Sequence, residues 1–208
     1  MRRFPITCLF VDIGGVLLTN GWDHLERKRA ATYFKLPWAE MDRRHRLMFE
    51  THEEGRLSID DYLKHVVFYE NRPFTREQFK RFMRAQSNPF PAMIDLIAQL
   101  KVRYKLKVFV VSNESRYLNA HRIQAFGLNH IVDCFISSCF VGLRKPDPEI
   151  FRLALDVAQA PLREIIYIEN TPMFVQIAEG LGIRSILHTN FKSTCAKLTA
   201  FGLPRETR

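Results

Sequence analysis

Five short apolar runs, rich in β-branched and aromatic residues, limit what this chain can fold into: residues 6–11, 107–111, 135–138, 165–168 and 184–187. Near-continuous apolarity over so few residues suits strands covered on both faces, as in a parallel sheet. Amphipathic stretches lie between them. Met93, Ile97, Leu100 and Tyr104 repeat at helical spacing, and so do Phe174, Ala178 and Leu181. Strand–helix alternation predicts an α/β fold with a doubly wound, Rossmann-like parallel sheet.

One stretch breaks the rhythm. Residues 21–88 contain no convincing strand and read as four helices, 22–34, 39–50, 59–69 and 76–86. Ser58 with Asp61 three residues on is a capping-box variant, and Thr75 suits an N-cap. Asn88, Pro89 and Pro91 punctuate the return. The expected organisation is a core of residues 1–20 and 89–208, interrupted after its first strand by a helical insertion at 21–88. A chain of 208 residues is long enough for one domain with such an insertion.

Arg2 and Arg3 precede the first apolar run, but that run is too short for a signal peptide and ends on Asp12, Gly14 and Gly15 rather than a cleavage site. No apolar run reaches the roughly 20 residues of a membrane helix. Cys8, Cys134, Cys139 and Cys195 fit no zinc spacing and read as reduced, structural thiols of a cytoplasmic protein. The net charge of +9 is spread along the chain without a nucleic-acid motif, so it suits a basic surface or anionic substrates rather than nucleic acid. Residues 204–208 alone read as disordered, and nothing in the sequence sets the oligomeric state.

The polar positions that interest chemistry fall at the ends of predicted strands. Asp12 follows the first, Ser112 and Asn113 the second, and Glu169 and Asn170 the fourth; Lys145 lies in the loop before a helix beginning at Pro148. Ligands of open α/β sheets bind beyond the carboxyl ends of the strands. A nucleophilic carboxylate, hydroxyl and amide donors, a lysine and a second carboxylate gathered there can hold a divalent cation and a phosphoryl group. Each has a plainer reading: Asp12 before a glycine turn, Ser112-Asn113 as a helix cap, Lys145 at the surface, Glu169-Asn170 as a helix start. Asp147-Pro148-Glu149 reads as a helix N-terminus.

The segments FVDIGGVLLTN, VVSNES, GLRKPDPEIF and IYIENTPMFVQIAEGLGI resemble, in order, the four motifs of the haloacid dehalogenase superfamily. EEGRLSIDDYL resembles a segment of the small helical cap that many members insert after the first motif. The resemblance implies Asp12 as the nucleophile that takes the phosphoryl group, and Ser112 and Asn113 as phosphate-binding residues. It implies Lys145 as the neutraliser of nucleophile and phosphate. Asp12, the Gly14 carbonyl, Glu169 and Asn170 become ligands of Mg2+. The implied activity is a magnesium-dependent phosphatase of a small phosphorylated metabolite.

Two departures qualify this. Gly14 stands where phosphatases of the family place a second Asp as general acid and base, a group whose loss costs about 10²–10⁴ in rate. Glycine's backbone freedom is a further reason expected for it at 14. Asn170 replaces an Asp, and Phe174 a polar residue. These favour the alternative, a degenerate member that binds a phosphorylated ligand or protein partner. Dehalogenation ranks third, because Met173 and Phe174 occupy the neighbourhood of the water-activating Asp. The histidines read as surface or cap residues, with His24 and His52 as candidates for substrate contact.

Overall fold

The protein is described by a computed structural model over residues 5–205. Arg2, Arg3 and residues 206–208 lie outside the described residues. Five strands, β1 (Cys8–Val11), β2 (Lys107–Ser112), β3 (Cys134–Ser137), β4 (Ile165–Glu169) and β5 (Arg184–Leu187), form one parallel sheet in the order β3-β2-β1-β4-β5. The expected strands are all present. Ser112 and Glu169 are the last residues of their strands rather than the first residues beyond them.

Alternation along β1 explains the layering. Leu9 and Val11 join Val108, Val110, Ile166 and Ile168 on one face, packed against Met93, Ile97 and Leu100 of α5 (Pro91–Tyr104). Cys8 and Phe10 join Phe109, Val111 and Tyr167 on the other, packed against Ile150, Phe151 and Ala154 of α8 (Glu149–Ala158). Both faces are therefore covered, as the continuous apolarity of the runs requires. Three further helices attend the sheet: α6 (Arg116–Ala125), α9 (Pro172–Gly180) and α10 (Phe191–Ala200), with a short α7 (Ser138–Val141) after β3. The four cysteines are free.

Between β1 and α5 run four helices, α1 (His24–Tyr33), α2 (Trp38–Glu53), α3 (Ile59–Val66) and α4 (Arg76–Ala85). Thr75 and Gln78 make a complete capping box. Ser58 accepts from the Asp61 N–H, but its own proton goes to the Asp61 carboxylate at 2.6 Å, because Asp is too short to reach back to the cap's backbone. These helices bury an aromatic cluster of their own around Phe79, Tyr62 and Met83. Its joint with the sheet is a pair of hydrogen-bonded crossings: Thr19 N–H donates to Asn88 O at 2.8 Å, and Phe90 N–H to Leu17 O at 2.8 Å.

Among the described residues no helix is long and apolar enough to cross a membrane.

Candidate active site

β1 has β2 on one side and β4 on the other, so the chain departs in opposite directions from the centre of the sheet. The crevice at such a point is where α/β sheets bind ligands. Asp12 follows β1 there directly, only 7% exposed.

Lys145 reaches the same point from the loop before α8, 1% exposed. Its Nζ stands 3.1 Å from Asp12 Oδ1 and 2.6 Å from Glu169 Oε2, and donates to the Tyr167 hydroxyl at 3.1 Å. The Asp12 contact is an ion pair without good hydrogen-bond alignment, so buried Oδ1 accepts no hydrogen bond. Glu169 Oε2 also accepts from Tyr167, while Oε1 accepts from the Asn170 and Thr171 N–H groups, both at 2.9 Å. The Phe174 ring lies 4.9 Å from the ammonium. That position, polar by expectation, thus supplies an aromatic face to a buried cation.

Burial sets the electrostatics. It raises the Asp12 carboxyl to about 6 against the pull of Lys145, with the Glu169 charge adding to the rise. Burial also pushes Glu169 up, but the Lys145 charge and hydrogen bond, Tyr167 and the Thr171 N–H outweigh it and hold Glu169 below the usual range. Lys145 is held above its usual value by Asp12 and Glu169, which together overcome its own desolvation.

Ser112 is buried at the end of β2, and its hydroxyl works against the rise that burial imposes on the Asp12 carboxyl. Neither it nor Asn113 caps the helix that follows, whose N-cap is Ser115. The side chain of Asn113, a residue expected at phosphate, binds the Lys145 backbone at both ends. Asp147 Oδ1 accepts from Glu149 N–H at 2.9 Å, and α8 begins at Glu149, one residue later than expected.

Gly14 and Gly15 divide the turn between them. Gly15 has φ +71°, and a Cβ there would sit 2.0 Å from the Asn170 amide nitrogen. Gly14 has no such φ, and a Cβ would meet only Asn20, at 3.5 Å. Backbone freedom is therefore needed at Gly15 and not at Gly14, contrary to the sequence expectation. With its amide turned to suit its neighbours, Asn170 donates to Glu169 Oε1 at 2.8 Å and to the Gly14 carbonyl at 3.1 Å. The Gly14 carbonyl, Asn170 and Glu169 are thus neighbours.

Several functional neighbours escaped the sequence reading. Tyr167 looked like core. Arg122 is buried, pairs with Glu114, and donates to the Thr19 carbonyl in the outgoing crossing. Glu53 at the end of α2 pairs with Arg144, beside Lys145, at 2.9 Å. His45 and His52 lie on α2 of the insertion, as surface-or-cap residues could, and both are buried; His52 was already a candidate for substrate contact, and His45 was not. They lie on the inward stripe of α2 with Met41, a spacing that would have revealed them. A cavity of about 560 Å³ lies between the inserted helices and Asn113, Glu114 and Ser115. Asp12 is not on its wall, but Asn113 follows Ser112 directly. His24 and His52 both line it.

Residues 6–182 match the family described as haloacid dehalogenase-like hydrolase. The chain belongs to the haloacid dehalogenase-like hydrolases. Among curated members, it is 36% identical over 55 residues to bifunctional epoxide hydrolase 2 of Sus scrofa, spanning only 10% of that protein's length. Longer likenesses are to D-ribitol-5-phosphate phosphatase of Bacteroides thetaiotaomicron and flavin mononucleotide hydrolase 1 of Arabidopsis thaliana. The first is 25% identical over 86% of this chain and 90% of the relative. The second is 22% identical over 97% and 79%. A solved enzyme of the haloacid dehalogenase family from Bacteroides thetaiotaomicron, in complex with magnesium and inorganic phosphate, shares the fold. Its TM-score is 0.72 at 20% identity, over 87% of this chain and 93% of that one.

Proposed function

We propose that the chain is a phosphoric monoester hydrolase in which Asp12 takes the phosphoryl group of a small phosphorylated metabolite. The observation that carries this is Lys145, a buried ammonium held between the Asp12 and Glu169 carboxylates. Such a cation keeps the nucleophile ionised near neutral pH and offsets charge on an incoming phosphate. Ser112 donates to the phosphoryl oxygens, and Asn113 acts as the residue that positions Lys145. The relatives that hydrolyse phosphate esters support the same reaction class.

The donor set fits a hard divalent cation: the Asp12 carboxylate, whose Oδ1 makes an ion pair but no aligned hydrogen bond with Lys145, the Gly14 carbonyl and the oxygen of Asn170 once its amide turns. Glu169, engaged by Lys145, Tyr167 and two backbone N–H groups, acts through Asn170 and Lys145 more than as a direct ligand. Bound Mg2+ supplies charge neutralisation at the phosphoryl oxygens. Asp12 attacks phosphorus, and the ester oxygen leaves with the bond pair. Water then cleaves the aspartyl-phosphate. No side chain at position 14 delivers or takes a proton in either step.

Residues 21–88 serve as the cap that covers the substrate. The missing carboxylate at 14 favours a second reading, a member that binds a phosphorylated ligand without turning it over. A dehalogenase fits poorly, because Met173 is exposed and Phe174 faces Lys145, leaving no acid there to activate water. Phosphate release from a panel of phosphate esters with magnesium, beside Asp12→Asn, decides between the first two. Release that is absent from wild type, or equal in the variant, overturns the proposal.

A further inference from the structure

The last turn of α2 rests on core segments that build the site. Gly55, just beyond it, has φ +73°, and a Cβ there would stand 2.2 Å from the Cys139 carbonyl oxygen, so the two backbones pack directly. The buried Ser138 hydroxyl accepts from the Glu114 N–H at 2.9 Å, beside Asn113. It donates to the Glu53 carbonyl at 2.7 Å, the nearer of two carbonyls in reach. The Glu53 carboxylate takes two hydrogen bonds on one oxygen, from Arg144 Nε at 3.1 Å and Nη2 at 2.9 Å. Glu50 adds a second carboxylate 3.6 Å from Arg144 Nη1, and the Phe49 ring lies 4.8 Å from the guanidinium.

An exposed ion pair would be worth little. This one differs in its burial and in what it is attached to. The Arg144 side chain is 17% exposed, and its planar fork is fixed by two carboxylates and a ring that all come from α2. Its backbone belongs to the site. The Arg144 carbonyl accepts from the Asp147 N–H at 2.9 Å, closing the turn that contains Lys145. Within that turn Asn113 holds the Lys145 backbone from the end of β2, and the next residue, Glu114, is tied to Ser138. Two supports of the Lys145 loop thus end on Glu53, one on its carboxylate and one on its carbonyl.

We infer that Arg144 is a positioning residue for Lys145 and that Glu53 holds it, so that the ammonium is fixed against Asp12 while the end of α2 is seated and loosened when it lifts. Covering the cavity and completing the charge of the site are then one event. The kinetic consequence rests on the reading of the centre as a phosphate-ester site; the geometric one does not.

The test is residue-resolved hydrogen exchange at the Lys145 N–H, which donates to Asn113 Oδ1. Arg144→Ala and Glu53→Ala should each speed its exchange roughly tenfold or more, as a local opening. The double variant should go little beyond either, because the two side chains act as one pair. The reference is the Lys107 N–H, bonded to the Thr7 carbonyl at the opposite end of β2, whose exchange should not change. Glu53→Gln, which keeps an oxygen for Arg144, should fall between wild type and Glu53→Ala, and it judges the inference if the alanine variants do not fold. Arg144 is not among the residues lining the cavity. With magnesium and para-nitrophenyl phosphate, Arg144→Ala should therefore lower kcat roughly tenfold or more and move KM less. Unchanged exchange at Lys145, equal acceleration at Lys107, or additive effects in the double variant overturn the inference. So does a wild-type kcat in Arg144→Ala when the unsubstituted chain hydrolyses the ester. An unsubstituted chain that releases no phosphate, with the exchange shifts present, sustains the inference and sinks the hydrolase reading alone.

Discussion

Asn113 holds Lys145 by both ends of one backbone unit: its Oδ1 accepts from the Lys145 N–H at 2.8 Å, and its Nδ2 donates to the Lys145 carbonyl at 2.7 Å. The two residues are 32 apart in sequence. The clamp joins the end of β2 to the loop that carries the ammonium, and so fixes where the charge stands relative to Asp12. Asn113→Ala removes both bonds. Misplacing a catalytic group by about 1 Å costs roughly 10²-fold in rate. A fall in kcat of that order is expected, with KM for the ester changing less. Asn113→Asp should do as badly, since it loses the donor and sets a carboxylate against a carbonyl. Wild-type kcat in either variant would show that Lys145 is held by other means.

Gly14 offers a gain-of-function test. Its backbone accepts a side chain, and a Cβ has ordinary contact distances. Without an acid at 14, wild-type rates should fall steeply as the leaving group becomes more basic. Gly14→Asp should flatten that dependence and raise rates on alkyl phosphates, by up to about 10². Gly15→Ala, at positive φ and 2.0 Å from Asn170, should lower stability instead. Rates measured across a leaving-group series check the first, and thermal melts the second. High wild-type rates indifferent to leaving-group pKa would mean that another residue supplies the proton.

The sheet was legible because both of its faces are covered, so each strand is an apolar run with little else to confuse it. The site was legible because topology places strand ends together, and Asp12, Ser112, Lys145 and Glu169 converge as their positions imply. Long-range partnerships were not. Nothing in the sequence marks Arg122 as buried against Glu114, or Glu53 as the partner of Arg144 91 residues away. Charged residues look alike in sequence whether solvated or paired, and only packing distinguishes them. The clamp that Asn113 makes on Lys145 was equally hidden, because which backbone its amide meets depends on a distant loop.

Asn170 links the carbonyl of Gly14 to Glu169 through its amide N–H groups. Asn170→Asp would replace that donor with a second carboxylate facing two oxygens. Without a cation this is repulsive, and the melting temperature in a chelator should fall. With magnesium the added charge should tighten binding, and the loss should be recovered. Calorimetric titration and melts with and without magnesium read both effects. Unchanged magnesium affinity in Asn170→Asp would remove Asn170 from the metal site.

The inserted helices should be sensitive to mild acid through two histidines. Burial lowers His45 to about 3 and His52 to about 4, with Arg27, His52 and Arg46 adding to the effect on His45, and the Leu57 carbonyl opposing it at His52. Both fold neutral. In the unfolded chain their pKa returns to about 6.5, so below that pH the unfolded state binds protons that the folded state does not. Stability is therefore complete above about pH 6.5 and is lost as pH falls toward 4. For His52 the loss is on the order of 3 kcal/mol at the bottom of the window. Glu114, which burial raises to about 7 against Arg122, acts with the opposite sign, so the raw pH profile mixes the two. The difference between wild type and His52→Gln isolates the histidine. Denaturant melts at pH 7.5 should give a small difference, and the variant should lose less stability than wild type on going to pH 5. Parallel profiles would mean that His52 protonates in place, and that its ring is not held neutral.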